Sequence, residues 1–426
     1  MPTIYVQTHG CSANISESEG MMGLLQKEGY VIVHNEAEAD VVVLSVCTVK
    51  GEEKMLTAAK KYHDKNLVLA GCVTKKLMTS LQTIHPNISI INTDNFKSII
   101  PAVNHALDKS SFTAIERIQS LKVGLPRVRS NSAIGIIPIL NSCLGQCTFC
   151  STKIIKGVLM SFPKEKIMEE CRRALNDGCK ELWLTSQDNA CYQMENGKSL
   201  LPELIQEIAQ LPGDFMIRIG MMNPEHSLPI LPELIQALSH PKVFKFIHLP
   251  LQSGNNQVLK AMKREYTVEE FSSLVNKLRT TIPKITIATD IICGFPGESE
   301  EEHNSTLALL KSLKLEVINI SRYKKREGTL AAKMKQLSGS VIKHRTTELS
   351  GVNKKISHEK LSAWIGWKGT IIIDEIGTKK QECVGRNEYY KPVVIKGNYS
   401  LGEKVSVRIT GADIFHLNGE RTLPLI

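Results

Sequence analysis

The chain has 426 residues, with 53 lysines and arginines against 43 aspartates and glutamates, and a formal net charge of +10 at pH 7. Its length exceeds what one ordinary core supports and predicts two or three domains. The charge excludes an acidic disordered tail protein and hints at a polyanionic partner, with a solvated basic surface as the alternative. Because no apolar stretch is long enough to cross a bilayer and no secretory signal is visible, we expect a cytoplasmic protein with no membrane segment.

The first hundred residues alternate between strand and helix patterns. Strands are predicted over residues 3–7, 41–46 and 67–70, and helices over residues 16–28, 49–62 and 74–82. The helix over 16–28 has Ser16 and Glu19 at the spacing of a capping box. Such alternation is typical of an open α/β sheet. A polar, basic stretch over 108–131 then predicts a linker or edge segment; its cations are Lys109, Arg117, Lys122, Arg127 and Arg129.

Three cysteines of the first region, Cys11, Cys47 and Cys72, each follow a predicted strand. Ligands of open α/β sheets bind at the carboxyl edge, and three thiolates brought together there suit a soft metal centre. Three separate buried cysteines are the alternative that these positions alone leave open.

A strand over 134–140 opens a second region and ends in the spacing CxxxCxxC, formed by Cys143, Cys147 and Cys150. Three thiolates this close can bind three irons of a cubane cluster and leave the fourth iron open to a substrate or cofactor. A structural zinc site is the weaker alternative, because no fourth ligand follows at a suitable spacing.

Five more strand–helix units follow, with strands predicted over residues 181–185, 215–220, 244–249, 286–292 and 315–320. Six units are fewer than the eight of a closed barrel, so we expect a partial parallel barrel with its site at the carboxyl ends of the strands. After a polar helix over 340–361, short alternating strands over 368–375, 382–386, 391–396 and 404–410 predict a small antiparallel barrel.

The CxxxCxxC spacing after a first barrel strand resembles the radical S-adenosylmethionine (SAM) enzymes. The segments 248–256, 262–267 and 289–298, together with the triplet Cys11, Cys47 and Cys72, resemble the methylthiotransferase family. Details such as the segment Cys147-Thr148-Phe149-Cys150 resemble its archaeal and eukaryotic branch, which modifies N6-threonylcarbamoyladenosine at position 37 of tRNA. The chain departs from the commoner family pattern at residues 326–330 and 189–192.

The resemblance implies an α/β protein with three domains: an N-terminal methylthiotransferase domain over 1–122, a radical SAM (β/α)6 partial barrel over 129–358, and a TRAM RNA-binding domain over 359–426. It implies two 4Fe-4S clusters, one on each cysteine triplet, and SAM as cofactor. The central cluster would bind and cleave SAM so that the resulting radical removes the hydrogen at C2 of adenine. The N-terminal cluster would deliver sulfur, and a second SAM the methyl group.

Seven residues near strand ends are candidates for holding SAM or substrate: Phe149, Gln187, Asp188, Arg218, Gln252, Ser253 and Gly294. The alternative for Phe149 is simple packing, that for the polar residues is an ordinary loop or core hydrogen bond, and that for Gly294 is a plain turn. Six residues of the last barrel combine aromatic rings with cations and are candidates for RNA binding: Arg386, Tyr389, Tyr390, Lys391, Lys396 and Arg408. Ordinary strand tyrosines and a solvated basic face are the alternative for them. The other five cysteines, Cys171, Cys179, Cys191, Cys293 and Cys383, are predicted to be structural.

The implied partners are a tRNA anticodon stem-loop, a reductant such as flavodoxin or ferredoxin, and a sulfur donor. Two alternative functions are weighed. A methylthiotransferase acting on an aspartate of a ribosomal protein is disfavoured by the aromatic and cationic C-terminal barrel and by the net charge. A non-catalytic zinc protein that binds RNA would bind zinc and little iron.

Overall fold

The computed structural model describes residues 1–47, 52–377 and 381–423. The chain forms two compact units. The first comprises residues 1–130, 136–142 and 152–170, and the second comprises residues 131–135, 143–151 and the chain from 171 onwards.

The first unit is built on a parallel six-stranded sheet. In spatial order its strands are Val31–Val33, Thr3–His9, Val41–Val46, Asn66–Gly71, Ser89–Asn92 and Thr113–Ala114. Its helices are Ser12–Lys27, Glu52–Lys61, Lys75–Ile84, Ile99–Leu107 and Thr152–Lys156. Every residue of Val41–Val46 is buried because apolar clusters cover both faces of the sheet. The predicted open α/β sheet is confirmed.

Two local predictions for this unit are corrected. The first helix begins at Ser12 with Cys11 as its N-cap, so Ser16 is a helix residue rather than a cap; its Oγ atom accepts from Nη1 of Arg127 at 3.0 Å. Within residues 108–131, Thr113–Ala114 is an edge strand of the sheet, as the edge alternative predicts, but the linker alternative is wrong, because the side chains of Lys122 and Arg127 are buried in ion pairs with Glu17 and Glu170. Part of the helix predicted over 49–62 lies outside the described residues.

The second unit contains parallel strands in two groups of three. In the first group, Glu181–Thr185 stands between Met216–Ile219 and Ile134–Pro138, and the first two residues of Ile134–Pro138 belong to this unit. In the second group, Thr286–Cys293 stands between Phe246–His248 and Val317–Arg322. A parallel bridge joins Ile217 to Val243. The helices are Pro224–Ser227, Leu201–Ala209, Leu231–Ser239, Asn256–Ala261, Val268–Thr281 and Glu300–Leu313, while Lys164–Asn176 passes from the first unit into the second. The six predicted strand–helix units are confirmed.

Helix Gly339–Ser362 leads into a closed five-stranded barrel in the same unit. Its strands, in spatial order, are Lys368–Ile376, Glu382–Arg386, Pro392–Lys396, Leu417–Arg421 and Lys404–Ala412. The sequence predicts four of them; Leu417–Arg421 escapes prediction because only Leu417 is buried and the pattern does not alternate. No helix of the described chain has the length and apolar character needed to span a membrane.

The barrel packs on residues that precede, or lie early in, the parallel strands of the second unit. The backbone N–H of Lys245 donates to the carbonyl of Glu388 at 2.8 Å, and Oγ1 of Thr286 donates to the carbonyl of Tyr389 at 2.6 Å. Nζ of Lys404 contacts Oδ1 of Asp214 at 2.5 Å. The barrel therefore sits at the amino ends of the strands, opposite the edge where ligands of such sheets bind.

Candidate active site

The structure brings the N-terminal triplet together. Cys11, Cys47 and Cys72 follow three neighbouring parallel strands, and Val46 pairs with both His9 and Gly71, so the three strands end level with one another. Cys11 and Cys47 share a thiol hydrogen bond, which lowers the pKa of Cys11 to about 6. Burial raises the pKa of Cys72. Since Cys11 also caps a helix, the dipole of that helix favours negative charge here.

Asn14 holds this triplet in place. It is buried, its Oδ1 atom accepts from the Cys11 thiol at 3.4 Å, and its Nδ2 atom donates to the carbonyl of Val46 at 3.1 Å and lies 3.9 Å from Sγ of Cys72. One side chain thus contacts two of the three cysteines and the strand before the third. Its signal in the sequence was its place three residues after Cys11.

A buried charge network lies beside the triplet. Oε1 of Glu17 accepts from Nζ of Lys122 at 2.5 Å, Nζ of Lys156 at 2.8 Å and Oγ1 of Thr93 at 2.7 Å. Burial alone would raise the pKa of Glu17, but the two ammonium groups outweigh burial and lower it to about 2. Burial opposes the charge of Lys156, yet Cys72 and Glu17 raise its pKa. Two cations against one carboxylate leave excess positive charge near the thiols.

The central triplet lies on one loop at the carboxyl edge of the strands, where all three cysteines are half-buried. Thr148 anchors the loop. Its N–H donates to the carbonyl of Met262 at 3.0 Å, its Oγ1 donates to the carbonyl of Ala261 at 3.0 Å, and its carbonyl accepts from the N–H of Ala331 at 2.9 Å. The ring of Phe149, a predicted cofactor residue, packs beside Met262 and Ala331 in an apolar cluster.

Arg264 contacts the central triplet directly. Its Nη1 atom donates to Sγ of Cys147 at 3.2 Å and its Nη2 atom donates to the carbonyl of Pro250 at 3.1 Å, while Nε lies 3.1 Å from the hydroxyl of Tyr266. Burial raises the pKa of Cys147 to about 11, and Arg264 opposes that rise. Sequence reasoning missed Arg264 as a site residue, although it lies in the segment 262–267 that carried the resemblance.

Asp188, one of the predicted cofactor residues, is the hub of a buried polar group. Its Oδ1 atom accepts from the N–H groups of Ala190 at 3.1 Å and Asn223 at 2.9 Å. Its Oδ2 atom lies 2.6 Å from Nδ1 of His226 and accepts from the thiol of Cys191 at 3.2 Å. Burial opposes protonation of His226, but Asp188 outweighs burial and raises its pKa. Cys191, predicted to be structural, is thus a partner of both Asp188 and His226.

Four other predicted cofactor residues have partners within the protein. The guanidinium carbon of Arg218 lies 4.9 to 5.1 Å from the ring centres of Trp183, Phe246 and Tyr390. A Cβ atom on Gly294, whose φ is +77°, would lie 2.6 Å from Ile342. The oxygen of Ser253 is 3.4 Å from that of Thr306. The backbone N–H of Gln252, with φ +71°, donates to the carbonyl of Asp290 at 2.8 Å.

Arg218, Gly294 and Ser253 therefore pack within the protein, while Nε of Arg218 is buried without a hydrogen-bond partner among the described residues, and the predicted cofactor role of all three stays a prediction. Gln187 is half-buried and is the second residue after the strand Glu181–Thr185, at the carboxyl edge of the strands. Among the seven predicted residues, Phe149 lies on the central loop itself, and Gln187 and Asp188 are the next ones in sequence.

Of the six predicted RNA-binding residues, two are exposed on the barrel surface: Lys396 and Arg408. The ring of Tyr390 lies 4.9 Å from those of both Phe244 and Phe246. Lys391 is buried, and burial lowers its pKa to about 8.

The two others also have internal partners. Arg386 pairs with Asp374 at 2.9 Å, and the ring of Tyr389 lies 5.0 Å from that of Trp364. Four of the six thus hold the barrel together or dock it on the parallel strands, so the geometry supports RNA contact only at Lys396 and Arg408.

A basic segment that the sequence analysis did not single out lies beside the cluster loop. It runs from the end of strand Val317–Arg322 to the helix Gly339–Ser362 and carries six cations: Arg322, Lys324, Lys325, Arg326, Lys333 and Lys335. All except Arg326 are exposed, and Glu327 is the one acidic residue among them. The hydrogen bond from Ala331 to Thr148 places this segment directly against the loop. We call it the basic rim.

Comparison with known proteins identifies the family. Three family models match: the radical SAM superfamily over residues 137–310, the uncharacterized protein family UPF0004 over residues 3–92, and the TRAM domain over residues 366–420. A Pyrococcus abyssi protein named probable threonylcarbamoyladenosine tRNA methylthiotransferase is 37% identical over 99% of each chain. A Drosophila melanogaster protein named threonylcarbamoyladenosine tRNA methylthiotransferase is 36% identical over 98% of this chain and 77% of its own length. The chain belongs to the radical SAM methylthiotransferase family.

A solved structure of the cobalamin-dependent SAM radical enzyme OxsB has a TM-score of 0.53 to this methylthiotransferase at 10% identity, covering 83% of this chain and 56% of the other. That likeness concerns the fold alone. Membership of the family makes the chain an enzyme and overturns the alternative of a non-catalytic zinc protein.

The residues present fit the cofactors of the family, which are SAM and two iron–sulfur clusters. Each triplet supplies three thiol sulfurs, the donor that iron in such clusters prefers. Each triplet also has a cation at hand, Arg264 for the central one and Lys156 for the N-terminal one, to balance the negative charge of thiolates. Cys143, Cys147 and Cys150 would hold the SAM-binding cluster, and Cys11, Cys47 and Cys72 the other.

Proposed function

We propose that this methylthiotransferase converts N6-threonylcarbamoyladenosine at position 37 of tRNA to its 2-methylthio derivative. The observation that carries the proposal is near-complete alignment, at 36–37% identity, with relatives whose names state this activity. When bound, the clusters and SAM supply the electron, the radical chemistry at carbon, and the sulfur and methyl groups. The protein's own residues hold those groups and position the RNA.

The two triplets have different surroundings, which suit different tasks. The N-terminal triplet lies by the excess charge of Lys122 and Lys156, and such charge favours an anionic ligand such as a sulfur species. The central triplet has a single guanidinium donor, Arg264, bonded to one sulfur. We assign sulfur delivery to the N-terminal domain, over residues 1–122, and SAM cleavage to the central domain, over 129–358.

Two exposed basic surfaces are the proposed RNA contacts. The basic rim borders the loop that holds the central triplet, so a nucleotide bound there has its phosphates beside the reacting site. On the barrel, over residues 359–426, Arg408 pairs across the sheet with Lys368, and the two like charges gain from an anion placed between them. Glu420 pairs with Arg408 on its other side, leaving this strip with a net positive charge.

The proposed electron donor is a small carrier such as flavodoxin or ferredoxin, and the proposed docking site is a cavity of about 660 Å³ beside the central loop. Three cations line it, Lys260, Lys263 and Arg264, against two carboxylates, Glu265 and Glu270, so its lining has a net positive charge. An acidic carrier would be attracted to these cations. A sulfur donor completes the set of partners, and we place the reaction in the cytoplasm.

The test uses the full chain, reconstituted anaerobically with iron and sulfide. With SAM, a reductant and tRNA bearing N6-threonylcarbamoyladenosine, digestion and mass spectrometry should reveal the 2-methylthio nucleoside. The Cys143→Ala/Cys147→Ala/Cys150→Ala variant should retain about four of about eight irons and form no product, since each cluster depends on its own cysteines. Modification of a ribosomal-protein aspartate instead of the tRNA would overturn the substrate assignment.

A further inference from the structure

Beside the central loop, four metal-binding side chains converge that are distant in sequence. Sγ of Cys191 lies 3.2 Å from both Oδ2 of Asp188 and Nδ1 of His226, and that Oδ2 lies 2.6 Å from that Nδ1. Sγ of Cys143 lies 3.8 Å from the same Oδ2 and within 4.8 Å of Sγ of Cys191. Two thiols and one carboxylate thus lie within 4.8 Å of one another, and the imidazole joins them through its contacts with Asp188 and Cys191.

The surrounding structure fixes these donors. Two backbone N–H groups hold Oδ1 of Asp188 and leave Oδ2 to face the other donors. Cys191 lies in the short helical turn Asn189–Cys191 and is fully buried, and His226 lies in the helix Pro224–Ser227 with its side chain 16% exposed. Only Cys143 lies on the loop of the central triplet. Three of the four donors are therefore held by buried or largely buried positions, and the fourth is supplied by the loop.

We propose that Cys143, Asp188, Cys191 and His226 bind one Zn²⁺ in the chain that has not yet received its central cluster. Zinc favours four tetrahedral ligands of these kinds, with bonds of about 2.0 to 2.3 Å, which set ligand atoms about 3.3 to 3.8 Å apart. Three of the separations involving sulfur already lie near that range: those from Cys191 to Asp188 and to His226, and that from Cys143 to Asp188. The loop that carries Cys143 must move so that its Sγ atom comes closer to Nδ1 of His226. Asp188 and His226 need to separate by less than about 1 Å. Both thiols lose their protons as the metal binds.

The two metal centres exclude one another because they share Cys143. A chain holding Zn²⁺ at this site offers only Cys147 and Cys150 of the central triplet to iron. Zinc therefore slows assembly of the central cluster, and it leaves the N-terminal triplet untouched. This consequence is independent of which RNA or protein the enzyme modifies, so the failure of either proposal leaves the other standing.

The experiment uses the full-length Cys11→Ala/Cys47→Ala/Cys72→Ala variant, from which the first triplet has been removed, prepared without a cluster. Titration with Co²⁺ as the probe should give one tetrahedral metal per chain with two sulfur ligands in its absorption spectrum, displaced by Zn²⁺. Adding Cys191→Ser should weaken binding about 100-fold or more, because loss of a residue that merely supports a ligand already costs 10- to 100-fold. Adding Cys179→Ser, another buried cysteine, should change nothing.

Adding Cys147→Ala/Cys150→Ala instead should leave Co²⁺ binding intact. If that change abolishes binding and Cys191→Ser does not, the metal is held by the loop cysteines and the proposal fails. Iron uptake confirms that Cys191→Ser is folded: without zinc it should assemble the central cluster normally, and with added Zn²⁺ it should do so faster than its parent. Equal inhibition by zinc in both chains would overturn the proposal. If Cys191→Ser fails to assemble a cluster, His226→Ala supplies the same comparison with both thiols retained.

Discussion

Nη1 of Arg264 lies 3.2 Å from Sγ of Cys147, while Nη2 of the same guanidinium donates to the carbonyl of Pro250. The side chain is thereby fixed at both ends of its fork, with a buried positive charge against one cluster cysteine. A hydrogen bond and a cation next to a cluster sulfur favour its reduced, more negative form.

Replacing Arg264 should therefore make the central cluster harder to reduce. We expect Arg264→Gln to shift its reduction potential on the order of 50 mV more negative, since about 1.4 kcal/mol corresponds to about 59 mV for one electron. Potentiometric titration followed by electron paramagnetic resonance measures this. The neighbouring exposed residue supplies the control: Lys263→Gln should leave the potential where it is in the unmodified chain. An unchanged potential in Arg264→Gln would refute the electrostatic role.

Asn14 should decide how firmly the N-terminal triplet holds its iron. Asn14→Leu leaves all six cluster cysteines in place. We expect it to weaken the iron affinity of the N-terminal site by about 10- to 100-fold, the usual effect of removing a residue that orients metal ligands. When a chelator is added to this variant, the iron of the N-terminal cluster should be released faster than in wild type, and the iron of the central cluster at the wild-type rate. Asn95→Leu, which removes another buried asparagine of the same unit, is the control. Equal release from both variants would contradict this role.

The Glu17 network predicts a pH-dependent stability. Because the folded-state pKa of Glu17 is lowered to about 2 from an ordinary value of 4.5, its stabilisation is complete above about pH 4.5 and disappears as the pH falls towards 2. We expect Glu17→Gln to reduce the free energy of unfolding by about 3 kcal/mol at pH 7. The difference from wild type should shrink steadily between pH 4.5 and 2.

Urea unfolding of the cluster-free chain at several pH values gives this comparison. Glu36→Gln serves as the matched control, because Glu36 pairs with Lys61 at the surface, where solvent screens the pair, and its loss should cost far less stability than the loss of Glu17. A Glu17→Gln effect that stays constant down to pH 2 would show that lost packing, rather than lost charge, is responsible.

Charge removal on the basic rim should weaken tRNA binding in a salt-dependent way. For Lys324→Ala/Lys325→Ala, the slope of log affinity against log salt concentration should fall by about 0.7 to 0.9 for each phosphate that the variant no longer neutralises. Lys277→Ala/Lys311→Ala removes two exposed cations from helices Val268–Thr281 and Glu300–Leu313 and should leave the slope alone. Identical slopes in both double variants would place the RNA elsewhere.

Tyr390 should matter for stability rather than for RNA contact. Tyr390→Ala removes a ring packed on Phe244 and Phe246 and should cost about 3 to 5 kcal/mol of unfolding free energy. Phe415→Ala removes an aromatic ring of the same barrel that is 69% exposed, and should cost less than about 0.5 kcal/mol. If Tyr390→Ala costs little unfolding free energy but weakens tRNA binding, the predicted role of Tyr390 in RNA recognition would stand instead.

Local patterns predicted most of this architecture, because buried parallel strands such as Val41–Val46 are continuous apolar runs and the helices between them repeat with the helical period. The two triplets were visible because the ends of parallel strands share one edge. What could not be predicted depends on contacts between distant residues. Nothing local distinguishes Lys122, buried against Glu17, from a solvated linker lysine, or Cys191 from a structural cysteine. The docking of Tyr390 likewise follows from tertiary packing alone.

The position of the five-stranded barrel sets a lower limit on the size of the substrate. The barrel contacts Thr286, the first residue of a strand whose last residue, Cys293, lies at the opposite edge with the basic rim. Seven steps along an extended strand span about 23 Å at about 3.3 Å each. An RNA that contacts both the basic rim and the part of the barrel beside Thr286 must therefore span about 23 Å. A bare nucleoside or a trinucleotide is too short for that, so we expect such a substrate to contact only one of the two surfaces.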